Sequence, residues 1–306
     1  MEGLVIKSTG SFYQIKLDDG SLKDARVKGK LRLRGLDSTN PIAVGDRVIC
    51  EPEGQNDMLV ISDILPRKNY IIRKSNKLSK QTQVIAANLD QAVLVVTVNY
   101  PKTTNGFIDR FLLTAEAYHI PVLLVFNKLD LYLPEEVEQM NAIRKLYESI
   151  GFTCCMVSAK TGQNINILKN HLLHKTSLIA GHSGTGKSTL INFINPKIKQ
   201  KTGIISDYSN KGKHTTTFAE MFEILHETYI IDTPGIKDFG VVHLDKNEVK
   251  DYFPEFRTRM SNCRFNNCIH LNEPGCAIIS AVEQGEIAVE RYNSYLSIMQ
   301  GDDAHH

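Results

Sequence analysis

An eight-residue segment in the middle of the chain has the residue types and spacing of a phosphate-binding loop, G-x-x-x-x-G-K-S. Its members are Gly181, His182, Ser183, Gly184, Thr185, Gly186, Lys187 and Ser188. Glycines let the backbone N–H groups point at phosphate oxygens, while Lys187 would reach the β- and γ-phosphates and Ser188 would bind Mg²⁺. A helix beginning at Thr189 would add a positive terminus. We predict a nucleotide phosphate site that includes Thr189, although the loop alone does not choose GTP over ATP.

Two motifs upstream of this loop have the chemistry needed to choose the base. Asn127-Lys128-Leu129-Asp130 has the pattern N-K-x-D and follows an apolar run typical of a buried strand. The Asp130 carboxylate can accept from guanine N1–H and the exocyclic amine, which adenine cannot offer together, and the Lys128 stem can lie against the base. A later S-A-K segment resembles a loop that contacts guanine O6 through a backbone N–H. The predicted guanine site comprises Asn127, Lys128, Asp130, Ser158, Ala159 and Lys160.

Two segments after the phosphate loop are predicted to respond to the γ-phosphate. Asp232-Thr233-Pro234-Gly235 resembles D-x-x-G, in which Asp232 would hold Mg²⁺ through water and the Gly235 N–H would sense the phosphate. The polar stretch between the loop and this motif contains a run of threonines, of which Thr216 is the favoured Mg²⁺ ligand. The predicted magnesium site is therefore Ser188, Thr216 and Asp232.

The residue that activates water is less obvious. Many GTPases place a water-orienting glutamine just after D-x-x-G, and this chain has Ile236 there. Isoleucine cannot orient water, so another residue must do so or hydrolysis is intrinsically slow. We predict His214 for this role beside the catalytic Lys187; the alternative is that His214 is a surface histidine with no catalytic duty.

The order of the motifs is unusual, because in ordinary GTPases the base-reading motifs follow the phosphate loop and here they precede it. From Ala86 onward, apolar runs typical of buried strands alternate with helical segments, which predicts a parallel α/β sheet. Such a sheet tolerates circular permutation when its termini lie close together. The predicted fold class is an α/β P-loop GTPase domain in circularly permuted order.

A cysteine cluster near the C-terminus has the spacing C-x₄-C-x-H-x₅-C. Its members are Cys263, Cys268, His270 and Cys276. Three thiolates and one imidazole fill a tetrahedral shell, which indicates one structural zinc rather than a catalytic one. The other three cysteines, Cys50, Cys154 and Cys155, are interpreted as small apolar residues.

Short strands and turns in residues 1–66 predict a five-stranded OB-type β-barrel, with an SH3-like barrel as the competitor. Pro66–Lys80 is interpreted as a linker. The predicted domains are an RNA-binding barrel at 1–66, the permuted GTPase domain at 67–244 and a zinc-binding domain at 245–306.

The overall charge and its distribution along the chain indicate which partners the protein could bind. The 306 residues carry a net charge of only +2, yet basic residues concentrate in Lys23–Arg34 and Arg67–Lys80. Such stretches can attract phosphate, or can be solvated faces. The sequence has no signal-peptide-like segment and no apolar run long enough to span a bilayer, so we predict a cytoplasmic protein without a membrane partner.

The order of barrel, N-K-L-D, S-A-K, phosphate loop, switch segments and C-x₄-C-x-H-x₅-C closely resembles the RsgA (YjeQ) family of bacterial ribosome-assembly GTPases. The resemblance covers nearly the whole chain. It implies a GTPase that binds GTP and Mg²⁺, associates with the small ribosomal subunit and its rRNA late in maturation, and is stimulated by that subunit. Thr185 stands where the family usually has valine.

The sequence is also compatible with other functions. The missing glutamine is compatible with a non-catalytic, GTP-responsive RNA-binding scaffold, and a GTPase serving another RNA client has the same motifs. A P-loop kinase or ATPase conflicts with Asn127–Asp130. Binding to one asymmetric ribosome favours a monomer. Because the zinc domain follows directly after the D-x-x-G segment, we also expect the nucleotide state to set the pose of that domain.

Overall fold

A small β-barrel, a mostly parallel sheet with helices on both faces and a helical C-terminal domain follow one another along the chain. The computed structural model describes residues 1–10, 12–27, 42–53, 57–74, 82–198, 219–232 and 245–301. Within these ranges no helix is both long and apolar enough to cross a membrane.

The N-terminal barrel is built from five strands. They are β1 Glu2–Ser8, β2 Tyr13–Leu17, β3 Leu22–Val27, β4 Arg47–Pro52 and β5 Leu59–Ile64. The order β1-β2-β3-β5-β4 closes because β1 also pairs with β4, and β3 runs parallel to β5. This closed Greek-key order is that of the OB type and excludes the SH3-like alternative. Alternate residues such as Val5, Ile15 and Ile61 point inward and are fully buried.

The middle of the chain contains the other strands of the part that the structure describes. They are β6 Tyr70–Lys74, β7 Thr82–Ala87, β8 Gln91–Val96, β9 Val122–Phe126, β10 Thr153–Met156, β11 Thr176–Ala180, β12 Glu220–Leu225 and β13 Thr228–Asp232. β6 and β7 form an antiparallel hairpin. The interpretation of Pro66–Lys80 as a linker was therefore wrong for Tyr70–Lys74, where Ile71 is buried in the domain core and holds the strand in place.

The order of strands in the main sheet confirms the permuted fold. The sheet runs β10-β9-β8-β11-β13-β12, and β8 to β11 and β13 are parallel. The strand that leads into the phosphate loop, β11, lies at the centre between β8 and β13, although three strands of the sheet precede it in the chain. The antiparallel edge strand β12 pairs with β1 of the barrel, so that barrel and sheet are continuous.

Helices cover both faces of this sheet. The α-helices within the described residues are α1 Asn105–Ala117, α2 Pro134–Ser149, α3 Ile165–Leu172, α4 Lys187–Ile194, α5 Pro254–Arg257, α6 Ala277–Glu283 and α7 Val289–Gln300. Alternation along β8 sends Leu94 and Val96 toward α1 and α2, and Val93 and Val95 toward α3 and α4. Burial on both faces explains the unbroken apolar run of this strand.

The C-terminal domain is packed against α1 of the GTPase domain. Its apolar core includes Leu113 of α1. At the same contact the Arg291 guanidinium, on α7, is only 2% exposed and lies 2.6 Å from Asp109 on α1 and 2.7 Å from Glu255 on α5. Tyr147 of α2 donates to the same Asp109 carboxylate at 2.8 Å. A change in the pose of this domain would have to separate these buried charges. The expected effect of the nucleotide state on that pose stays a prediction.

Replacing Arg291 by methionine is expected to destabilise the protein by about 3–5 kcal/mol, because two buried carboxylates lose their counter-charge. The free energy of unfolding in urea measures this loss. Arg257→Met is the matched control, since Arg257 also joins this domain to α1, through Glu116 at 3.1 Å, but its side chain is 48% exposed. An exposed pair contributes less than about 1 kcal/mol. Equal destabilisation by the two variants would contradict the importance of burial.

Candidate functional site

The phosphate loop connects β11 to α4 at the carboxyl edge of the sheet. Gly186 has φ +97°, and a Cβ built there would lie 2.3 Å from Asn127 Nδ2, so only glycine fits. The Lys187 ammonium donates to the carbonyl oxygens of Gly181 at 2.6 Å and His182 at 2.8 Å, which holds it over the loop. Thr185 is fully buried and anchors the loop, whereas four members of the predicted site are exposed: Ser183, Gly184, Ser188 and Thr189. This arrangement leaves the loop backbone and the start of α4 open to a phosphate group.

Asn127 joins the base motif to the phosphate loop. Its side chain is 1% exposed and donates from Nδ2 to the Thr185 carbonyl at 2.8 Å. Its Oδ1 accepts from the Ala159 N–H at 3.0 Å, which adds the S-A-K loop to the same assembly. The structure thus brings together three segments that are separated by dozens of residues along the chain.

The remaining base-motif residues lie beside this junction. Asp130 Oδ1 accepts from the Ser158 hydroxyl at 2.5 Å, and Ser158 is fully buried. This bond orients the Asp130 carboxylate. Lys128 has a left-handed backbone, and Lys160 is exposed at the rim. The two base-motif segments therefore contact each other through Asn127–Ala159 and Asp130–Ser158, and Asn127 joins them to the phosphate loop.

Sequence reasoning missed the loop that follows β8. The Lys128 ammonium donates to the Tyr100 carbonyl in this loop. The Tyr132 hydroxyl accepts from the Val98 N–H at 3.1 Å and donates to the Asn99 carbonyl at 3.2 Å, fixing the loop to the base motif. The sequence signal for this loop was its position directly after β8, since ligand sites in parallel sheets lie at the carboxyl ends of strands.

A second missed contact closes the S-A-K loop against α4. Gly162 has φ +81°, and a Cβ there would lie 2.4 Å from the Phe193 ring. Phe193 therefore packs directly on this glycine. No motif indicated this contact, because it depends on how α4 lies over the loop.

Asn127→Ala is expected to weaken binding of both GDP and GTP by about 10- to 100-fold, because a Thr185 carbonyl and an Ala159 N–H lose a buried partner at once. Titration with a fluorescent guanine nucleotide measures the change. Gln163→Ala, at an exposed position near the same loop, is the control and should bind normally. An Asn127→Ala protein with unchanged affinity would contradict the structural role of this junction.

The structure describes one member of the predicted switch segments, Asp232. It ends β13 next to β11, the strand that enters the phosphate loop. Burial raises the pKa of the Asp232 carboxyl, the Lys187 ammonium lowers it, and Glu220 raises it further. Asp232 lies opposite Ile179 in the β11–β13 register, two residues before the phosphate loop begins. His214, Thr216, Gly235 and Ile236 lie outside the described residues, and their roles stay predictions.

The four predicted zinc ligands converge in the C-terminal domain. The ligand atoms of Cys263, Cys268, His270 and Cys276 all lie within 4.8 Å of one another. His270 Nδ1 is 3.6 Å from the Cys263 sulfur and 3.3 Å from the Cys276 sulfur. Tetrahedral zinc with Zn–S of about 2.3 Å and Zn–N of about 2.0 Å needs N···S separations of about 3.5 Å. The donor set and its spacing fit that ion.

Neighbouring groups hold the ligand loop in shape. The Glu273 carboxylate accepts from three backbone N–H groups, those of Ile269, Leu271 and Asn272. Tyr292 of α7 donates to the His270 carbonyl at 2.8 Å. Away from the cluster, burial raises the pKa of Cys154 and Cys155 to about 12, and Cys50 is fully buried. These three cysteines behave as the small apolar residues that the sequence predicted.

A phosphate loop at the centre of the sheet, joined through Asn127 to a guanine-type base motif that precedes it in the chain, defines the class of the protein: a circularly permuted P-loop GTPase. Residues 64–242 match the family model described as RsgA GTPase, and residues 2–60 match that of the RsgA N-terminal domain. The chain belongs to the RsgA GTPase family.

Relatives with this name are similar over nearly the whole chain. The Small ribosomal subunit biogenesis GTPase RsgA of Christiangramia forsetii is 53% identical over 305 residues, covering 99% of this chain and 97% of its own. Small ribosomal subunit biogenesis GTPase RsgA 2 of Bacteroides thetaiotaomicron is 54% identical over 302 residues, covering 98% and 96%.

Two solved structures are similar to this chain over nearly its whole length. YjeQ from Thermotoga maritima superposes with a TM-score of 0.80 at 33% identity, covering 98% of this chain and 97% of that one. YloQ, described as a circularly permuted GTPase, superposes with a TM-score of 0.75 at 28% identity, covering 98% and 94%. The predicted family and fold class are thereby confirmed.

Proposed function

We propose that this chain hydrolyses GTP while bound to the small ribosomal subunit, assists the late maturation of that subunit, and is stimulated by it. The observation that carries the nucleotide part is the junction at Asn127, which turns a phosphate loop and a guanine motif into one site. The proposed role at the small ribosomal subunit is supported by relatives that are 53% and 54% identical to this chain and are named for small-subunit biogenesis.

In this proposal the guanine base lies against Asp130 and the S-A-K loop. Asp130 accepts from N1–H and the exocyclic amine, and a backbone N–H of the S-A-K loop donates to O6. The Lys128 stem covers the base, and Lys160 lies at its open edge. Ser158 acts through Asp130, whose carboxylate it orients by the 2.5 Å hydrogen bond.

The phosphates lie along the loop from Gly181 to Thr189, with Lys187 at the β- and γ-phosphates. The residues present fit Mg²⁺, because Ser188 at the start of α4 and Asp232 at the end of β13 offer the hard oxygen donors that this ion prefers. Thr216 is proposed as the third protein ligand. Bound Mg²⁺ would neutralise charge that develops on the β- and γ-phosphate oxygens.

Hydrolysis needs a water molecule aligned with the γ-phosphate, and Gly235 is proposed to sense that phosphate through its N–H. We assign the orienting role to His214 and charge stabilisation to Lys187, whose ammonium is already held over the loop. Intrinsic turnover is slow in this scheme, because no glutamine follows Gly235, and the ribosomal subunit supplies the missing alignment.

The domains at 1–66 and 245–306 are proposed to contact rRNA, one through the OB barrel and the other through a domain held by one structural zinc. The exposed basic side chains of the barrel include Arg26, whose pairing with Glu53 is solvent-accessible. Arg67 is not available to phosphate, because it is 8% exposed and paired with the buried Asp46 at 2.6 Å. We propose a cytoplasmic monomer.

Co-sedimentation tests this function directly. The full-length protein with a non-hydrolysable GTP analogue is expected to pellet with small ribosomal subunits, and less protein should pellet with GDP. Large subunits serve as the control. Equal binding to both subunits in all nucleotide states would contradict the proposal and favour an RNA-binding protein with another client.

A further inference from the structure

Three residues on three neighbouring strands form one row that leads from the barrel to the nucleotide site. Lys7 of β1 lies opposite Glu220 of β12, and Glu220 lies opposite Asp232 of β13. Residues directly opposite in antiparallel strands have their side chains on the same face, within contact distance. The row therefore ends at the carboxylate that we propose as a magnesium ligand.

The row carries one positive charge, on Lys7, followed by two negative charges, on Glu220 and Asp232. The Lys7 ammonium is 3.5 Å from the Glu220 carboxylate, and their side chains are 44% and 29% exposed. Glu220 and Asp232 are like charges on directly opposed residues, an arrangement that is unfavourable unless a cation lies nearby. On the barrel side, the positive charge of Lys7 offsets the negative charge of Glu220. On the opposite side, a metal ion bound at Asp232 would offset the negative charge of both carboxylates.

A second lysine in the same interface provides a comparison within the molecule. Lys16 of β2 is 2.6 Å from Glu223 and donates to the Tyr229 hydroxyl at 2.9 Å. Glu223 lies opposite Tyr229 in the β12–β13 register, three positions away from the Glu220–Asp232 pair. Both lysines thus join the barrel to the same hairpin, but only Lys7 is in line with Asp232.

We propose that Glu220 and Lys7 are positioning residues for the magnesium–nucleotide site, with Glu220 strengthening Mg²⁺ binding and Lys7 masking Glu220. A phosphate of RNA that binds the half-exposed Lys7 would unmask Glu220 and increase the affinity for Mg²⁺. Contact between RNA and the barrel is thereby coupled to the nucleotide site through one strand. This inference rests on the proposed role of Asp232.

The test is the Mg²⁺ dependence of nucleotide retention, measured without ribosomes as the dissociation of a fluorescent GDP at low ionic strength. Glu220→Gln is expected to raise the Mg²⁺ concentration for half-maximal retention by about 3- to 10-fold, because one negative charge near the ion is removed. Lys7→Gln is expected to lower it by about 2- to 5-fold, an effect that salt screens. In the Glu220→Gln background, Lys7→Gln should have no effect.

Lys16→Gln is the matched control and should leave the midpoint unchanged, with thermal unfolding used to show that each variant is folded. Equal shifts for the Lys7 and Lys16 variants, or no shift for Glu220→Gln, would overturn the inference while leaving the proposed function intact. A wild-type protein that retains nucleotide equally with and without Mg²⁺ would instead contradict the proposed metal role of Asp232, and the inference would fall with it.

Discussion

Replacing Asp130 by asparagine is expected to lower the affinity for GTP and GDP by about 10²- to 10⁴-fold and to raise the affinity for xanthosine nucleotides. The carboxylate accepts from guanine N1–H and the exocyclic amine. An asparagine amide would turn a donor toward those donors, whereas xanthine offers a carbonyl oxygen in place of the amine. Competition by GDP, XDP and ADP against a fluorescent nucleotide measures the change.

The effect depends on an oriented side chain at position 130. The Ser158 hydroxyl donates to Asp130 Oδ1 at 2.5 Å and can equally bond the asparagine carbonyl oxygen, so the substitution should not disturb the loop. Glu135→Gln removes the same charge at an exposed position five residues further on and is the control. An Asp130→Asn protein that still prefers guanine would show that the base is read elsewhere.

Replacing Cys268 by serine is expected to abolish zinc binding and to unfold the C-terminal domain. Cys268 is 3% exposed and its sulfur lies within 4.8 Å of the other three ligand atoms, where a serine hydroxyl cannot replace a thiolate. Structural zinc stabilises small domains by about 10–16 kcal/mol in peptide systems, far more than the few short helices here can replace. Metal analysis should find one zinc per wild-type chain and close to none in the variant.

Limited proteolysis reports the structural consequence. Cleavage within residues 245–301 is expected for Cys268→Ser, whereas residues of the GTPase domain should stay protected when GDP is bound. Cys154→Ser, a change of the same chemistry away from the cluster, should keep its zinc and its resistance. Full zinc content in Cys268→Ser would contradict the assignment of this cluster.

Elements with strong local signals were predictable from the sequence. The apolar runs predicted β8 and β9, because a strand that is buried on both faces has no alternation of polar and apolar residues. The strand–loop–helix at the phosphate loop was predictable because glycine spacing constrains the backbone, and it was found with β11 ending at Ala180 and α4 beginning at Lys187. The zinc cluster was predictable because four ligands close in sequence leave few ways to fill a tetrahedral shell.

Contacts between distant segments were not predictable in the same way. Nothing in the spacing of Asn127 shows that it bonds Thr185, because that contact depends on β9 and β11 lying two strands apart in the sheet. The pairing of Arg291 with Asp109 joins residues 182 positions apart. Such tertiary contacts attach the C-terminal domain to α1, and no local pattern in the sequence indicates them.

The row at Lys7, Glu220 and Asp232 also depends on contacts between distant segments. Asp232 belongs to a recognisable motif, but no motif indicates Lys7 or Glu220, and the pairing of β1 with the edge strand β12 brings the three residues into line. If RNA acts on this row, the barrel is the element through which a ribosomal contact reaches the nucleotide.

The most direct test of the proposed function is multiple-turnover GTP hydrolysis by the purified protein, alone, with small ribosomal subunits and with large subunits. We predict slow hydrolysis by the protein alone, strong stimulation by small subunits and none by large subunits. Hydrolysis that neither subunit changes, in a protein that binds GTP normally, would contradict the account and leave a guanine-nucleotide-binding protein with a different client.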